Sequence, residues 1–392
     1  MVKSNNENMR IAMIGQKGMP ALHGGVERHV HELSVRLAER GFDVQVYARA
    51  WYTDTSVERY QGVTIVHLPS IKTKHLDAIT HTFVSVFHAM FTRADVIHFH
   101  GVGPSLLAWI PRLFAPRTRI VSTFHSLDRK HEKWGAFARA ALRAGEWASC
   151  RFAHRTVTVS EGIRTYVEVV YGKQTDLIPN AVPPYARVKT TDALDAFGLE
   201  SGNYFLVVSR LIPCKGIQYL IDAFIQLQDT NALRGKKLAI VGDGFYSDRY
   251  VKKLHDMAAG NPDIVFTGFQ SGVALSELYS HAFMKIHPSD NEGLPLTVLE
   301  AMSYGLPVLA SDIAGHRDLI SHPEYTFEAG SAQALKVKLV MLLGRDPAEL
   351  VAEGDRNRQK VRDQFGWDEV VDKTIALYLN EVTSPTAQIA TA

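Results

Sequence analysis

The sequence predicts an α/β protein with two Rossmann-like domains, each containing a doubly wound parallel sheet, that face one cleft. Short apolar runs alternate with helical stretches through both halves, which is the pattern of strand-helix-strand units. The 392 residues exceed what one hydrophobic core usually supports. Pro179, Pro183 and Pro184 interrupt regular structure near the middle of the chain and mark a linker.

The linker sets the expected domain boundaries. We expect an N-terminal domain over residues 1–183 and a C-terminal domain over residues 184–366, followed by a segment over residues 367–392. In that segment DEVVDKTIALYLNEV predicts a helix that could pack back on the N-terminal domain, and SPTAQIATA predicts a loose tail.

The first half opens with a strand, a glycine-bearing loop, a helix and a second strand. IAMIG and VQVYA are the apolar runs, and the helix between them places Val26, Val30, Leu33 and Leu37 on one face before it stops at Gly41. Further predicted strands are DVIHFH, RIVSTFH and RTVTVS in the first half, and YFLVVS, KKLAIVG, DIVFTG, MKIHPS and LPVLAS in the second. Because ligands of parallel sheets bind beyond the carboxyl ends of the strands, we expect the chemistry there.

Composition and cysteine usage narrow the class of protein. The chain is 46% hydrophobic and 21% charged, which excludes a disordered or fibrous protein. Cys150 and Cys214 fall in different predicted domains, so the sequence predicts neither a stabilising disulfide nor a structural zinc site and favours a reducing compartment. The polar N-terminus and the absence of an 18-residue apolar run predict a cytoplasmic protein that at most touches the inner face of the membrane.

The small net charge of +2 hides an asymmetry between the halves. Residues 1–185 carry 23 basic and 15 acidic side chains, and the remainder carries 20 and 26. Ten basic and three acidic residues lie between Arg112 and Arg155. Such a surface suits an anionic partner such as a membrane or a lipid-linked phosphate, and an ordinary solvated surface is an equal alternative. No accompanying motif points to a nucleic acid, and we expect none as a partner.

An amphipathic helix is predicted in KTKHLDAITHTFVSVFHAMF. A membrane-docking helix and a helix that covers its own sheet both fit this pattern. Basic residues at its start are Lys72, Lys74 and His75, and its apolar positions are Leu76, Ile79, Phe83, Val86, Phe87 and Met90.

Four charged residues are candidate ligand contacts in the second half. Arg210 and Lys215 lie in the predicted strand-to-helix loop SRLIPCKG, where two cations ahead of a helix can hold a pyrophosphate. Glu292 and Glu300 lie eight residues apart in DNEGLPLTVLEAM, and carboxylates accept hydrogen bonds from sugar hydroxyls. By themselves these residues could equally be surface charges and a helix ion pair.

The surrounding motifs remove that ambiguity. SDNEGLPLTVLEAMSYGLPVLAS resembles the Glu-x7-Glu signature of family 4 retaining glycosyltransferases, which have the two-domain GT-B fold. The order of SRLIPCKG, VGDG and FTGF is similar to that of the family, as are ALHGGVERHVHELSVRLAERG, DVIHFHG and TFHSLD in the first half. The N-terminal GQKGMPALHGGVERHVHEL resembles a bacterial polysaccharide subgroup that includes rhamnosyltransferases.

The resemblance implies a role for each candidate residue. Arg210 and Lys215 contact the donor diphosphate, Glu300 the ribose and Glu292 the donor sugar, while His125 lies near the reacting carbon. The expected catalytic residues are Arg210, Lys215, Glu292 and His125. The remaining expected donor contacts are Gly24, Gly25, Gly242, Gly268, Phe269, Gly293, Leu294, Pro295 and Leu296.

His98, His100 and Gly101 are candidate residues of the acceptor side, although a role in the core is an equal alternative for the two histidines. Together with His125 these histidines come from two different predicted strands, and that spacing gives no metal-ligand triad. No Asp-x-Asp motif occurs in the chain, so we expect Arg210 and Lys215 to take the place of a metal ion. No metal or other cofactor is expected.

The predicted reaction is therefore metal-independent, retaining transfer of a sugar from a nucleoside diphosphate sugar, with a UDP- or dTDP-linked donor favoured over a GDP-linked one. The expected acceptor is a glycan or a polyprenyl-linked sugar in cell-surface polysaccharide assembly. Two alternatives remain. A GT-B sugar-nucleotide 2-epimerase would act on the donor alone, and an inactive scaffold would bind the nucleotide sugar without turnover.

Overall fold

The computed structural model describes residues 9–73, 76–130, 135–228, 230, 232–244 and 247–379. The chain divides into two compact units. The first contains Met1–Asn180 together with Trp367–Ala392, and the second contains Ala181–Gly366. Along the described residues, no helix combines the length and apolarity needed to cross a bilayer.

The first unit is built on one sheet in which each strand pair is parallel except β3 with β4. The strand order is β3-β4-β2-β1-β5-β6-β7-β8, so the winding direction reverses at β1. The strands are β1 (Arg10–Ile14), β2 (Asp43–Arg49), β3 (Arg59–Tyr60), β4 (Val63–Leu68), β5 (Val96–His100), β6 (Arg119–Phe124), β7 (Arg155–Thr158) and β8 (Asp176–Leu177).

Helices flank this sheet and bury an aliphatic core against it. Ile97 and Phe99 on β5 lie in that core with Val86 and Ala89 from a helix. The helices are α1 (Gly25–Glu39), α2 (Asp77–Phe91), α3 (Val102–Ser105), α4 (Trp109–Phe114), α5 (Ala136–Arg151) and α6 (Glu161–Tyr171).

Helix α2 presents an unexpected face to the sheet. Its buried residues are His81, Thr82, Ser85, Val86 and Ala89, which are mostly small or polar. Most of its large apolar side chains point outward: Phe83 and Phe87 are each 48% exposed and Phe91 is 87% exposed. Of the basic residues predicted at its start, Lys74 and His75 lie outside the described residues.

The second unit contains a wholly parallel sheet in the order β11-β10-β9-β12-β13-β14. Its winding direction reverses between β9 and β12, and a crevice at such a switch point is where open α/β sheets bind ligands. The strands are β9 (Tyr204–Val208), β10 (Lys237–Val241), β11 (Ile264–Gly268), β12 (Met284–His287), β13 (Val308–Ser311) and β14 (Thr326–Phe327).

Eight helices accompany this sheet in the described part of the second unit. Two 3-10 turns, Pro213–Lys215 and Pro323–Tyr325, add to them, and a third, Asp128–Lys130, belongs to the first unit. The helices are α7 (Asp192–Ala196), α8 (Ile217–Gln228), α9 (Asp248–Ala258), α10 (Gly272–Ser280), α11 (Leu296–Ser303), α12 (Ala314–Arg317), α13 (Ala332–Leu343) and α14 (Pro347–Gln364).

The last helix, α15 (Trp367–Leu379), belongs to the first unit and packs against α1. The Trp367 ring lies 5.6 Å from the His29 ring, and the Tyr378 hydroxyl lies 2.6 Å from Nδ1 of His98. The tail predicted after this helix falls in residues 380–392, outside the described range. The two parallel-sheet units confirm the predicted α/β, Rossmann-like fold class.

Candidate active site

Two loops meet at the switch point of the second sheet. One follows β9 and carries Lys215, and the other follows β12 and carries Glu292. The backbone amide of Asp290 donates to the carbonyl of Cys214 over 2.9 Å and ties the loops together. Gly216 has a φ of 65°, and a Cβ there would lie 1.9 Å from the carbonyl oxygen of Pro288. Only glycine permits this close approach.

A buried ion pair joins these loops at the predicted diphosphate and sugar contacts. The Lys215 ammonium donates to Oε1 of Glu292, and Nε2 of His287 donates to the same oxygen over 2.9 Å. Burial acts to raise the pKa of Glu292, but the Lys215 charge and the His287 hydrogen bond outweigh it and hold the pKa well below its usual range. Glu292 is therefore an anion at neutral pH. Arg210 lies exposed in the first loop.

Two neutral histidines support Glu292. Burial lowers the pKa of His287 to about 3, so its ring is neutral and carries its proton on the nitrogen that faces the carboxylate. Burial also lowers the pKa of His316, whose Nδ1 donates to the carbonyl of Ser311 over 2.7 Å. A Cβ at the neighbouring Gly315 would lie 2.6 Å from the carbonyl oxygen of Glu292. This packing fixes the backbone that carries the glutamate.

Glu300 occupies the middle of α11 and is 3% exposed. The Tyr279 hydroxyl donates to its Oε2 over 3.0 Å, which fixes the orientation of the carboxylate. The Tyr279 ring stacks on Tyr304, with 5.2 Å between centroids, and Tyr304 stacks on Tyr185 at 4.9 Å. Glu300 is thus held by an aromatic column, and the structure brings it to the same end of the sheet as Lys215 and Glu292.

The other predicted donor residues of the second unit lie in the neighbouring loops. Gly242 follows β10 with a φ of 136°, and a Cβ there would lie 1.8 Å from the carbonyl oxygen of Ser209. Gly268 ends β11 with a φ of 68°, and Phe269 after it is exposed. The segment from Gly293 through Leu294 and Pro295 to Leu296 is buried, so it can offer a ligand its backbone more readily than its side chains.

A histidine cluster occupies the end of the sheet in the first unit. Nδ1 of His100 lies 3.1 Å from Nε2 of His125, and the His29 ring lies 5.0 Å from the His125 ring. Burial lowers the pKa of His29 to about 4 and the pKa values of His100 and His125 well below the usual range. All three rings are therefore neutral, and the His100–His125 contact fixes the orientation of His125.

His98 has a different role from its neighbours in this cluster. Its Nδ1 contacts the Tyr378 hydroxyl, and its Nε2 lies 2.7 Å from Oγ1 of Thr123. Both ring nitrogens are thus satisfied inside the protein, which favours the core alternative over an acceptor contact. Gly101, with a φ of 100°, precedes the short helix α3.

The double-glycine loop of the first unit requires glycine for its shape. Gly24 has a φ of 102° and immediately precedes α1, which begins at Gly25. A Cβ at Gly24 would lie 2.1 Å from Oε2 of the buried Glu27. The roles predicted for Gly24, Gly25 and His125 at a ligand stay predictions.

Comparisons with known proteins agree with this architecture. The model described as Glycosyltransferase Family 4 matches residues 23–185, and the model described as Glycosyl transferases group 1 matches residues 193–359. A GDP-mannose-dependent alpha-(1-6)-phosphatidylinositol monomannoside mannosyltransferase of Mycobacterium tuberculosis is 31% identical, over 90% of this chain and 94% of the relative. The chain belongs to the family 4, group 1 glycosyltransferases.

Other relatives and solved structures support the same family and fold. A glycogen synthase of Mycobacterium tuberculosis is 27% identical over 95% of this chain and 94% of its own length. The sucrose-phosphate synthase structure from Thermosynechococcus elongatus has a TM-score of 0.80 at 23% identity, covering 95% of this chain and 98% of that chain. The Anabaena HepE structure with UDP and glucose has a TM-score of 0.77 at 21% identity, covering 95% and 100%. The GT-B fold is thereby confirmed.

Metal binding by this glycosyltransferase is a separate question. Among the described residues, two groups bring candidate ligand atoms within 4.8 Å of one another: His29, His100 and His125, and His287, Glu292 and His316. In both groups members already contact each other, as the His100–His125 and His287–Glu292 pairs do. The expectation of a metal-free reaction stays a prediction.

Several residues that support the site were missed in the sequence. His29 shares the inward stripe of α1 with Leu33 and Leu37, and its four-residue spacing from Leu33 could have revealed it. Tyr279 and His316 come from elements distant in sequence from the glutamates that they support, and no local spacing connects them.

Proposed function

We propose that this chain transfers a sugar from a nucleoside diphosphate sugar to an acceptor, with retention at the anomeric carbon and without a metal ion. The observation that carries the proposal is the convergence of Lys215, Glu292 and Glu300 at the switch point of a parallel sheet. The family assignment supports the reaction class. Retention and independence of metal rest on the motif resemblance and on the positions of the cations.

Lys215 and Arg210 act on the diphosphate. An ammonium group has three donors, and the contact with Glu292 uses one of them, so two can reach phosphate oxygens while the ion pair stays intact. Arg210 adds a second cation from the exposed part of the same loop. Both stabilise the charge that develops on the leaving diphosphate.

The two glutamates divide the rest of the donor between them. Glu300, fixed by Tyr279, accepts hydrogen bonds from the ribose hydroxyls, and Glu292 accepts them from the sugar. The base lies against the backbone at Gly268 and Phe269. In the transfer step the bond between the anomeric carbon and the phosphate oxygen breaks, the acceptor oxygen bonds to that carbon on the same face, and the acceptor proton passes to the departing phosphate.

A UDP- or dTDP-linked sugar remains the proposed donor. The relatives differ in the nucleotide that they use or bind. The mycobacterial mannosyltransferase is named as GDP-mannose-dependent, whereas the HepE structure contains UDP. Hydrolysis and thermal-shift measurements with UDP-, dTDP-, GDP- and ADP-sugars would identify the base. Product analysis with donor alone separates transfer from 2-epimerisation, and an inactive scaffold would show binding without turnover.

The metal-free mechanism gives a direct prediction. Turnover should persist in EDTA, and Arg210→Ala or Lys215→Ala should lower kcat by about 100-fold or more, the typical effect of losing one preorganised charge contact. Lys237→Ala is the matched control, because Lys237 lies in the same unit and binds the carbonyl of Gly198. Loss of turnover in EDTA and its recovery with manganese would show that the mechanism is wrong.

The acceptor is proposed to be a glycan or a polyprenyl-linked sugar reached from an anionic membrane surface. We define the α2–α4 apolar patch as the outward side chains of these two contacting helices: Phe83, Phe87, Phe91, Trp109, Leu113 and Phe114. Leu113 is 63% exposed. Large exposed apolar patches mark interaction sites.

Basic residues accompany the α2–α4 apolar patch. Arg93 follows α2, Arg112 lies within α4, and Arg117 follows α4, all with exposed side chains. Aromatic and aliphatic side chains next to arginines suit the interface of an anionic bilayer, where the rings enter the headgroup region and the cations meet phosphates. The name of the mycobacterial relative, which includes a phosphatidylinositol mannoside, supports a lipid-linked acceptor.

A further inference from the structure

Lys285 is a fully buried lysine in the middle of the second sheet, where an apolar residue would be expected. It is 0% exposed on β12, and its register neighbours are Leu206 on β9 and Val308 on β13. Burying an ammonium group costs free energy that a hydrophobic residue of similar size would not cost. A buried ammonium group in the centre of a sheet therefore needs an interaction or a function that offsets this cost.

The Lys285 side chain points toward the proposed donor site. Its Nζ donates a long hydrogen bond of 3.4 Å to the carbonyl oxygen of Val208, two residues beyond its register partner Leu206. The side chain therefore extends along the sheet toward the carboxyl ends of the strands. His287, two residues later on β12, lies on the same face and contacts Glu292. Lys285 and His287 thus lie side by side on the face of β12 that supports the proposed donor site.

The buried positive and negative charges around Lys285 are equal in number. Glu300 on α11 and Glu292 in the loop after β12 act on the Lys285 ammonium as favourable charges, and Lys215 opposes them. Two cations thus accompany two carboxylates, with neutral His287 and His316 beside them. Without the charge of Lys285 the buried part of the site would carry one excess negative charge. The remaining cation, Arg210, lies exposed, so the site would then attract a diphosphate less strongly.

We propose that Lys285 is a positioning residue of the donor site, whose ammonium group balances Glu300 and Glu292 from below and keeps both carboxylates oriented toward ribose and sugar hydroxyls. The inference rests on the proposed function, because it requires a nucleoside diphosphate sugar above these carboxylates. Lys285 itself does not contact the donor.

This arrangement makes donor affinity depend on pH. Burial lowers the pKa of Lys285 from its ordinary value of 10.5 to about 7, although the charge of Glu300 opposes the shift. The titratable groups that face it are Glu300, Glu292, Lys215, His287 and His316. Affinity for a nucleoside diphosphate should fall as pH rises through about 7, since the ammonium then loses its proton.

Stability should change in the opposite direction. Between pH about 7 and about 10.5 the unfolded chain binds one more proton at this lysine than the folded chain does. Stability contributed by this group therefore rises with pH in that window. A purely structural lysine would not weaken ligand binding while the fold became more stable.

The experiment begins with calorimetric titration of UDP, dTDP, GDP and ADP into the full chain between pH 6 and 8.5. The tightest of these nucleotides is then titrated into Lys285→Met and into Lys237→Met, whose lysine lies on β10 of the same sheet, two strands away from β12. We expect Lys285→Met to bind about tenfold more weakly at pH 6.5, to lose the pH dependence, and to melt at a higher temperature. Lys237→Met should keep the wild-type values.

Unchanged affinity and pH profile in Lys285→Met would overturn the inference, as would a joint fall of affinity and melting temperature. If that variant does not fold, the wild-type chain is titrated at pH 8 in two buffers of different ionisation enthalpy. Binding should then take up about half a proton at Lys285, because a tenfold preference for the ammonium form raises its pKa by about one unit on binding. Histidines and nucleotide phosphates titrate below this pH, so zero uptake would overturn the inference. Failure of all four nucleotides to bind the wild-type chain would instead refute the proposed function.

Discussion

The ion pair between Lys215 and Glu292 and the hydrogen bond between Tyr279 and Glu300 give the two glutamates different surroundings. Glu292 shares its charge with a cation that the diphosphate also uses, whereas Glu300 is fixed by a neutral hydroxyl group. Removing Glu292 releases the Lys215 ammonium group toward the phosphates, whereas removing Glu300 leaves the Lys215–Glu292 pair in place. The two substitutions should therefore separate binding from transfer.

We expect Glu300→Ala to weaken nucleoside diphosphate binding by about tenfold, the typical effect of losing hydrogen bonds to a charged group. Glu292→Ala should reduce the transfer rate with a smaller effect on nucleoside diphosphate affinity. Calorimetry and initial-rate measurements distinguish the two, with Glu328→Ala, an exposed glutamate of the same unit, as the control. Unchanged nucleotide affinity in Glu300→Ala would contradict the assigned roles.

The residues proposed to contact the donor are also those that the sequence indicates most directly. Glu292 and Glu300 share one short motif, so their spacing in the sequence carries the signal. Lys285 lies within the predicted strand MKIHPS, and Tyr279 lies between two predicted strands. The importance of both depends on which side chains the fold places beside them. No residue within MKIHPS indicates that Glu300 on α11 will lie near Lys285.

At the scale of elements, α2 shows why an amphipathic pattern is ambiguous. The sequence predicted its apolar positions, but periodicity does not say whether the apolar or the opposite face meets the sheet. In the structure Thr82, Ser85 and Ala89 pack inward because their small side chains allow close approach, and the phenylalanines face outward.

This orientation predicts membrane binding. The chain should co-float with vesicles containing anionic lipid at low salt, because each large apolar side chain that enters the interface contributes on the order of 2 kcal/mol. A double variant, Phe87→Ser with Leu113→Ser, should bind at least about fivefold more weakly. Val351→Ser, an exposed apolar residue on α14, is the matched control. Absence of wild-type co-flotation at low salt would refute the proposed surface.

Among the strands, the ten long apolar runs proposed from the sequence all form strands. The strands that escaped prediction are β3, β4, β8 and β14. Three of these contain two residues, too few for periodicity to appear, and β3 adds an antiparallel edge to an otherwise parallel sheet. The fourth, β4, buries Val63 and Ile65 in alternation, a signal that could have revealed it.

At the scale of the whole molecule, the first unit is discontinuous in sequence. Its core includes α15, whose Trp367 and Tyr378 contact His29 and His98. The prolines near residue 180 indicate a linker, and the sequence allowed the last helix to pack back on the N-terminal domain. The pattern of α15 does not specify which helices and strands it contacts there. This part of the architecture depends on side-chain complementarity between distant segments, which a single sequence does not display.

A chain ending at Gly366 should consequently have a destabilised first unit. Loss of α15 uncovers α1 and leaves His98 without its tyrosine partner, so we expect hydrogen exchange to accelerate in α1 and β5 by about tenfold or more while β9 and β12 keep their protection. A chain ending at Leu379 retains α15 and serves as the control. Equal protection of α1 and β5 in both truncated chains would show that α15 is dispensable.

The position of α15 after the second unit in sequence also orders events during synthesis. The ribosome releases residues 10–180 long before residues 367–379, so the N-terminal sheet emerges without the helix that covers α1. The second unit, which is continuous in sequence, can complete its fold first. The unit that is translated first therefore cannot complete its core until α15, which follows the whole second unit, has been made.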